Sequence, residues 1–247
     1  MEYARWAPRY EAIRAEFGFP FDREEAAARE LERLLPEPAR DDPMGRLRAC
    51  LRDRTVIVAG LAPSAGPPPV WRLAAEHPAP AIVAADGATA DCLRSGLIPN
   101  VVATDLDGPV ASEVTANRKG SLVVIHAHGD NLGALTDWVP EFPGALVGSW
   151  AGPPRGPLID VGGFTDGDRA AYLAEAAGAR RILLWGFDFL RVEEADPTSR
   201  QRKLAKLAWA DRLLAELDRV GGSPLFLWQR DGSLDAYPGG RSVASTR

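Results

Sequence analysis

Residues 81–108, AIVAADGATADCLRSGLIPNVVATDLDG, decide the fold. AIVAAD reads as a strand of small and β-branched apolar residues, ATADCLRSG as a helix ended by Gly96, and NVVATD as a second strand. Both strands finish on carboxylates beside glycine: Asp86-Gly87, then Asp105-Leu106-Asp107-Gly108. A strand, a helix and a strand of this length make a crossover unit, and such units build parallel sheets.

The same alternation extends in both directions. Upstream, TVIVAG after Arg54 is a strand and Trp71–His77 a helix. Downstream come helix PVASEVTANRKG, strands SLVVIHAH and GALVGS, the loop AGPPRGP, a short strand LIDVGG and helix TDGDRAAYLAEAAGA. Strand RILLWGFDF, a long helix over Arg200–Val220 and a last short strand PLFLW complete the run. Leu204, Leu207, Leu213, Leu214 and Leu217 are available for one face of the long helix. The expected class is α/β: a mostly parallel, Rossmann-like sheet of about six strands flanked by helices. An N-terminal helical segment precedes it.

That segment has no strands. Trp6, Tyr10, Ile13 and Phe17 recur at helical spacing, with Pro8 expected in a first turn. Asp22 is expected to cap DREEAAARELERLL, with Glu25 completing a capping box. The expected division is a helical cap or arm over 1–53, a catalytic α/β domain over 54–230, and a flexible tail over 231–247.

Composition narrows the function. The chain has 247 residues, 46% hydrophobic and 26% charged, with 29 basic against 34 acidic residues for a net charge of −5. No basic face is forced, so nucleic acid is not an expected partner. No stretch approaches the roughly 20 apolar residues of a membrane helix, and the charged N-terminus is no signal peptide. Cys50 and Cys92 lie far apart in no metal-ligand spacing and fit a reducing cytoplasm. A homo-oligomer is left open.

Ligands of such sheets bind beyond the carboxyl ends of the strands. Those ends here carry Asp86-Gly87, Asp105 and Asp107, Gly129-Asp130-Asn131, Thr165-Asp166-Gly167-Asp168, and Asp188. Crowded carboxylates repel one another unless a cation sits among them, and Mg²⁺ suits one or two carboxylates plus substrate phosphates. Continued as a strand, Asp105 and Asp107 share one face. Asp-Gly pairs also serve as plain turns, and Thr165 with Asp168 is also a helix-capping pair. The turn Gly60-Leu61-Ala62-Pro63-Ser64 can offer backbone N–H groups to phosphate, though it is neither a Walker A loop nor a GxGxxG fingerprint. His126 and His128 suit a substrate-binding or supporting role, and Lys203 and Lys206, with Arg200 and Arg202, suit a triphosphate or a solvated face. No GxSxG or nucleophile–base pairing supports covalent hydrolysis.

IVAADGATADCLRSGLIPNVVATDLDG, HAHGDN, GGFTDGDRA, LLWGFDF and KLAKLAWADRLL, in this order over roughly residues 6–220, resemble the archaeal 6-hydroxymethyl-7,8-dihydropterin pyrophosphokinases of the MptE type. These are distantly similar to thiamine pyrophosphokinases. The family's opening is closer to GxGPS; here it reads GLAPS, with Ala62 in place of a glycine. The resemblance implies transfer of diphosphate from ATP to a hydroxymethyl-dihydropterin, with release of AMP, in methanopterin- or folate-type cofactor synthesis. Asp105 and Asp107 are then the leading Mg²⁺ ligands, followed by Asp166 or Asp168 and Asp86, with Asp86 also available as a base. Gly60, Ser64, Gly87, Thr104, His128, Asp130, Asn131, Gly163, Thr165 and Lys203 are the expected contacts to nucleotide and acceptor. The alternatives are a thiamine diphosphokinase, disfavoured by the lack of room for a C-terminal β-sandwich, a metal-dependent nucleotide-sugar glycosyltransferase, and a non-catalytic nucleotide-binding module.

Overall fold

The computed structural model describes residues 3–62 and 65–238. Seven parallel strands and one antiparallel strand form a single sheet in the order β5-β4-β3-β2-β1-β6-β7-β8. They are β1 Thr55–Ala59, β2 Ala81–Ala85, β3 Val101–Thr104, β4 Leu122–Ala127, β5 Leu146–Trp150, β6 Arg181–Trp185, β7 Leu225–Trp228 and β8 Leu234–Ala236. The first five step outward from β1, and β6 then returns to pair with it on the other side.

Helices cover both faces, so the central strands bury every residue. Alternate residues serve opposite layers. Val56 and Val58 pack with α1 (Tyr3–Phe17), α4 (Pro43–Leu51), α8 (Asp166–Ala176) and α9 (Pro197–Val220). Ile57 and Ala59 face Ala88 and Cys92 of α5 (Ala88–Arg94). Val102 and Ile125 pack with α2 (Phe21–Leu34), α6 (Val110–Arg118) and α7 (Leu132–Trp138). The expected α1 stripe of Trp6, Tyr10, Ile13 and Phe17 is buried in the first of these layers.

Several local expectations change. The sheet has eight strands, and β8 draws part of the expected tail into antiparallel pairing with β7. Pro8 lies inside α1 on its exposed side, and α2 begins at Phe21 without a side-chain cap. Asp22 therefore sits in the first turn, and Glu25 pairs with Arg155 at 3.1 Å in place of a capping box. The Pro-rich stretch after α2 makes a short turn of helix, α3 (Glu37–Arg40), before α4. Trp71–His77 shrinks to one 3₁₀ turn over Val70–Leu73. LIDVGG is not a strand: Ile159 makes one isolated parallel bridge to Ser149.

Candidate active site

Between β1 and β6 the strand order reverses, and a crevice opens there beyond the strand ends. It encloses about 660 Å³. Gly60 and Leu61 after β1, Asp86 and Gly87 after β2, Thr165 to Gly167 at the start of α8, and Gly186 to Phe189 after β6 line it. Lys203, Lys206, Leu207 and Ala210 close it from α9, on the shared face that a spacing of three and four residues creates.

The acidic wall is held by turns. The chain does not continue as a strand past Thr104. Leu106 adopts a left-handed conformation (φ 68°), and Asp107 N–H donates to Asp105 Oδ1 at 3.2 Å, so a tight turn brings the two carboxylates together. Asp86 is also left-handed (φ 41°). Non-glycine residues pay for that conformation, and it concentrates at working sites. Buried Thr104 accepts from Leu106 N–H at 2.9 Å and donates to Asp86 Oδ1 at 3.5 Å. Gly108 is glycine because the Asp86 carboxylate occupies the space its Cβ would take, at 2.3 Å.

Charge then sorts the carboxylates. Burial opposes ionisation of Asp105, but His128 Nε2 at 3.2 Å and the Asp107 contact hold its pKa below the usual range. Burial and the charges of Asp105 and Asp86 push Asp107 up to about 6. Burial, then the Asp105 charge, raises Asp166 well above the carboxylate range. Asp86 is raised as well, chiefly by burial. Behind Asp86, burial raises the fully buried Glu113 to about 9. Neither Glu113 oxygen has a donor partner. Two ionised carboxylates repel; as a neutral acid Glu113 favours the ionised form of Asp86 beside it. Arg169, 6% exposed, donates to Gly163 O at 3.3 Å and Phe164 O at 2.9 Å. Its charge acts on Asp105, Asp160, Asp166 and Asp168 together.

A stability consequence follows with a definite sign. Asp86, Asp107, Asp166 and Glu113 all have raised pKa values in the folded protein. Each contributes stability that is complete below its unfolded pKa and is lost as pH rises through the folded one. In EDTA the melting temperature should therefore be higher at about pH 5.5 than at about pH 7.5. A melting temperature that is flat or rising across that interval contradicts the arrangement.

Other expected site residues have different employment. Asp168 is fully buried and accepts from the N–H groups of Phe164 and Thr165 at 2.7 Å each, in a capping box with Thr165. It is not offered to a metal in the crevice. Asn131 donates to Asp105 O and His126 O at 2.7 Å each and accepts from His128 N–H at 3.0 Å, so it ties the loop and is not left to orient a substrate. Asp130 is exposed at the loop tip, and Gly163 serves Arg169 through its carbonyl. In the GLAPS turn two amides already have partners. Gly60 N–H donates to Trp185 O at 2.8 Å and Ala62 N–H to Gly186 O at 2.9 Å, so β6 takes both amides. Gly60 is required by that approach, since a Cβ would lie 2.7 Å from Gly186 O. Ser64 lies outside the described residues. His126 is buried against Ser149 Oγ at 3.0 Å, and burial drives its pKa well below the usual value, so it is a neutral structural histidine.

Lys203 pairs with Glu194 at 3.2 Å, whereas Lys206 acts on the Asp107 charge and lies 5.9 Å from the Phe164 ring centre. Among the described residues no three His, Cys, Asp or Glu side chains form a ready-made metal cage. The donor set is hard carboxylate oxygen whose mutual repulsion a cation would relieve. It suits an ion that takes the rest of its ligands from phosphate and water.

These features define an α/β protein whose acidic strand ends face a basic helix across the topological switch point. A model of the "6-hydroxymethylpterin diphosphokinase MptE-like" family matches residues 34–194. The 6-hydroxymethyl-7,8-dihydropterin pyrophosphokinase of Methanothermobacter thermautotrophicus is 36% identical over 92% of this chain and 100% of its own. The enzymes of the same name from Pyrococcus furiosus and Methanocaldococcus jannaschii are 36% and 34% identical, covering 90% and 76% of this chain and 96% and 80% of theirs. The chain belongs to the MptE-like family of 6-hydroxymethylpterin diphosphokinases. A solved structure, the Maf glycosyltransferase of Magnetospirillum magneticum AMB-1, aligns at TM-score 0.41 and 16% identity over 69% of this chain and 29% of its own.

Proposed function

We propose that this protein transfers diphosphate from Mg²⁺-ATP to 6-hydroxymethyl-7,8-dihydropterin and releases AMP. The observation that carries the reading is a crevice lined by Asp86, Asp166, Lys203 and Lys206, with Asp105 and Asp107 close enough for their charges to act on Asp166, in a chain of this family. Asp105, Asp107 and Asp166 are the residues that would hold Mg²⁺. When bound, the ion neutralises charge on the phosphates and on their transition state. Asp105, kept ionised by His128 and Arg169, would be the ready ligand, and Asp107 and Asp166, whose pKa values are raised, would have to give up protons to join it.

The protein's own part is alignment and charge. Lys206, whose charge acts on Asp107 and which forms no ion pair among the described residues, suits the phosphate chain better than Lys203, which pairs with Glu194. Asp86 accepts the hydroxymethyl proton as the substrate oxygen attacks the β-phosphorus and the α-phosphate leaves as AMP. Neutral Glu113 behind Asp86 supports its ionised form.

The test is chromatography of nucleotides after incubation with ATP and each acceptor, with and without Mg²⁺. AMP should form only with the hydroxymethyl-dihydropterin and the metal. ADP with a monophosphorylated pterin means attack at the γ-phosphorus instead, and AMP formed only with thiamine overturns the acceptor.

A further inference from the structure

The first turn of α2 presses on the loop after β4. A Cβ on Gly129 would lie 2.8 Å from Arg23 Cβ and 3.2 Å from Glu24 Oε1. Glu24 is 3% exposed and reaches in two directions. Its Oε1 accepts from Gly129 N–H at 3.1 Å, and its Oε2 accepts from Tyr10 O–H at 2.6 Å. Tyr10 is itself fixed by stacking on Trp6, ring centres 6.1 Å apart. A buried charged group is retained only where its bonds are complete, and these two bonds join the helical arm to one loop.

That loop is the one that governs Asp105. His128, the residue before Gly129, places Nε2 3.2 Å from Asp105 Oδ2, and its ring Nδ1 accepts from Asp130 N–H at 3.3 Å. Asn131 fastens the same loop to the Asp105 carbonyl. The other loop bonds named above stay within the loop or run to the ends of β3 and β4; the Glu24 bond comes from a helix of the N-terminal arm.

We infer that Glu24 is a positioning residue of the reaction site, holding the Gly129 amide so that His128 keeps the Asp105 carboxylate in place. The inference rests on the acidic strand ends being that site. Glu24 lies outside residues 34–194, the stretch the family model matches, and in a segment whose sequence offers little for catalysis. Its contribution passes through His128, not through contact with substrate.

The experiment compares Glu24→Gln, Glu24→Asp and Glu24→Ala, measuring kcat, KM for ATP, melting temperature and amide hydrogen exchange over residues 126–132. Gln retains an oxygen for Gly129 N–H and should stay within about threefold of the parent. Asp is one methylene short, and Ala has no acceptor. Both should lower kcat by about 10- to 100-fold while KM for ATP changes little, because a misplaced group costs turnover more than binding. Loop exchange should quicken in those two variants alone. If Ala fails to fold, Asp carries the comparison. Parent-like turnover in Asp, or a Gln variant as slow as Ala, overturns the inference. Failure of the strut and failure of the site are distinguishable. Unchanged loop exchange refutes the strut, and quickened exchange with normal turnover takes the loop out of the reaction site.

Discussion

Asp107→Asn lowers turnover on the order of 10³-fold and leaves the melting temperature unchanged or raised. The Asp107 backbone N–H makes the turn bond to Asp105. Asn keeps that bond and the side-chain size. It removes one of the mutually repelling charges that, after burial, push Asp107 up to about 6, so the fold gains if anything. What is lost is a negative oxygen for the ion, and several kcal/mol of transition-state stabilisation with it. Because protons and the ion compete for the Asp107 carboxylate, the parent should need more Mg²⁺ for half-maximal activity as pH falls, and the variant should show a weaker dependence. A melting curve beside a Mg²⁺-dependent AMP-release assay on one preparation makes the comparison. Near-parent turnover at saturating Mg²⁺ removes Asp107 from the site and weakens Asp105 with it.

Arg169→Met has its largest effect on stability. Removing one member of a buried charge cluster leaves the others uncompensated, at a cost of about 3–5 kcal/mol. Four carboxylates depend on this guanidinium: Asp105, Asp160, Asp166 and Asp168. The loss should be greater at about pH 7.5 than at about pH 5.5, because acid lets Asp160 and Asp166 neutralise themselves. Urea unfolding at both pH values is the measurement. A loss below about 1 kcal/mol, or one independent of pH, contradicts a compensating role.

The parallel sheet was legible because its strands are covered on both faces and read as unbroken apolar runs between turn residues; AIVAA and NVVAT are such runs. Elements with weak local signals were not. Helix α7 has seven residues, of which only Leu135 is buried, and β8 has three residues whose pairing is decided by the edge of β7. LIDVGG has a strand's composition, but only Ile159 finds a sheet partner.

That Asp86, Asp105 and Asp107 follow parallel strands was legible from the apolar runs before them, whereas Asp166 follows LIDVGG, which forms no strand, and opens α8. Glu24, Glu113 and Arg169 were not legible. Each is a charged residue within a helix, which in sequence looks like a solvated face, and only packing between layers reveals it as buried. The engagement of two amides in the GLAPS turn was hidden for a related reason. The amides of Gly60 and Ala62 are consumed by β6 and its turn, more than 120 residues away in sequence, a pairing local sequence does not announce. Asp168 shows a motif with two readings: the capping geometry of Thr165 and Asp168 is complete, and it leaves no free carboxylate oxygen.

The most direct measurement is a crystal structure of the protein with Mn²⁺ and a non-hydrolysable ATP analogue bridged by methylene between the α- and β-phosphorus. Anomalous scattering then locates the metal without reference to the chemistry. The ion should lie within about 2.0–2.6 Å of carboxylate oxygens from Asp105, Asp107 or Asp166 and of the analogue's phosphates, with Lys206 on the phosphate chain. Metal and nucleotide bound away from these strand ends, or phosphates seated with none of those carboxylates on the ion, would contradict it.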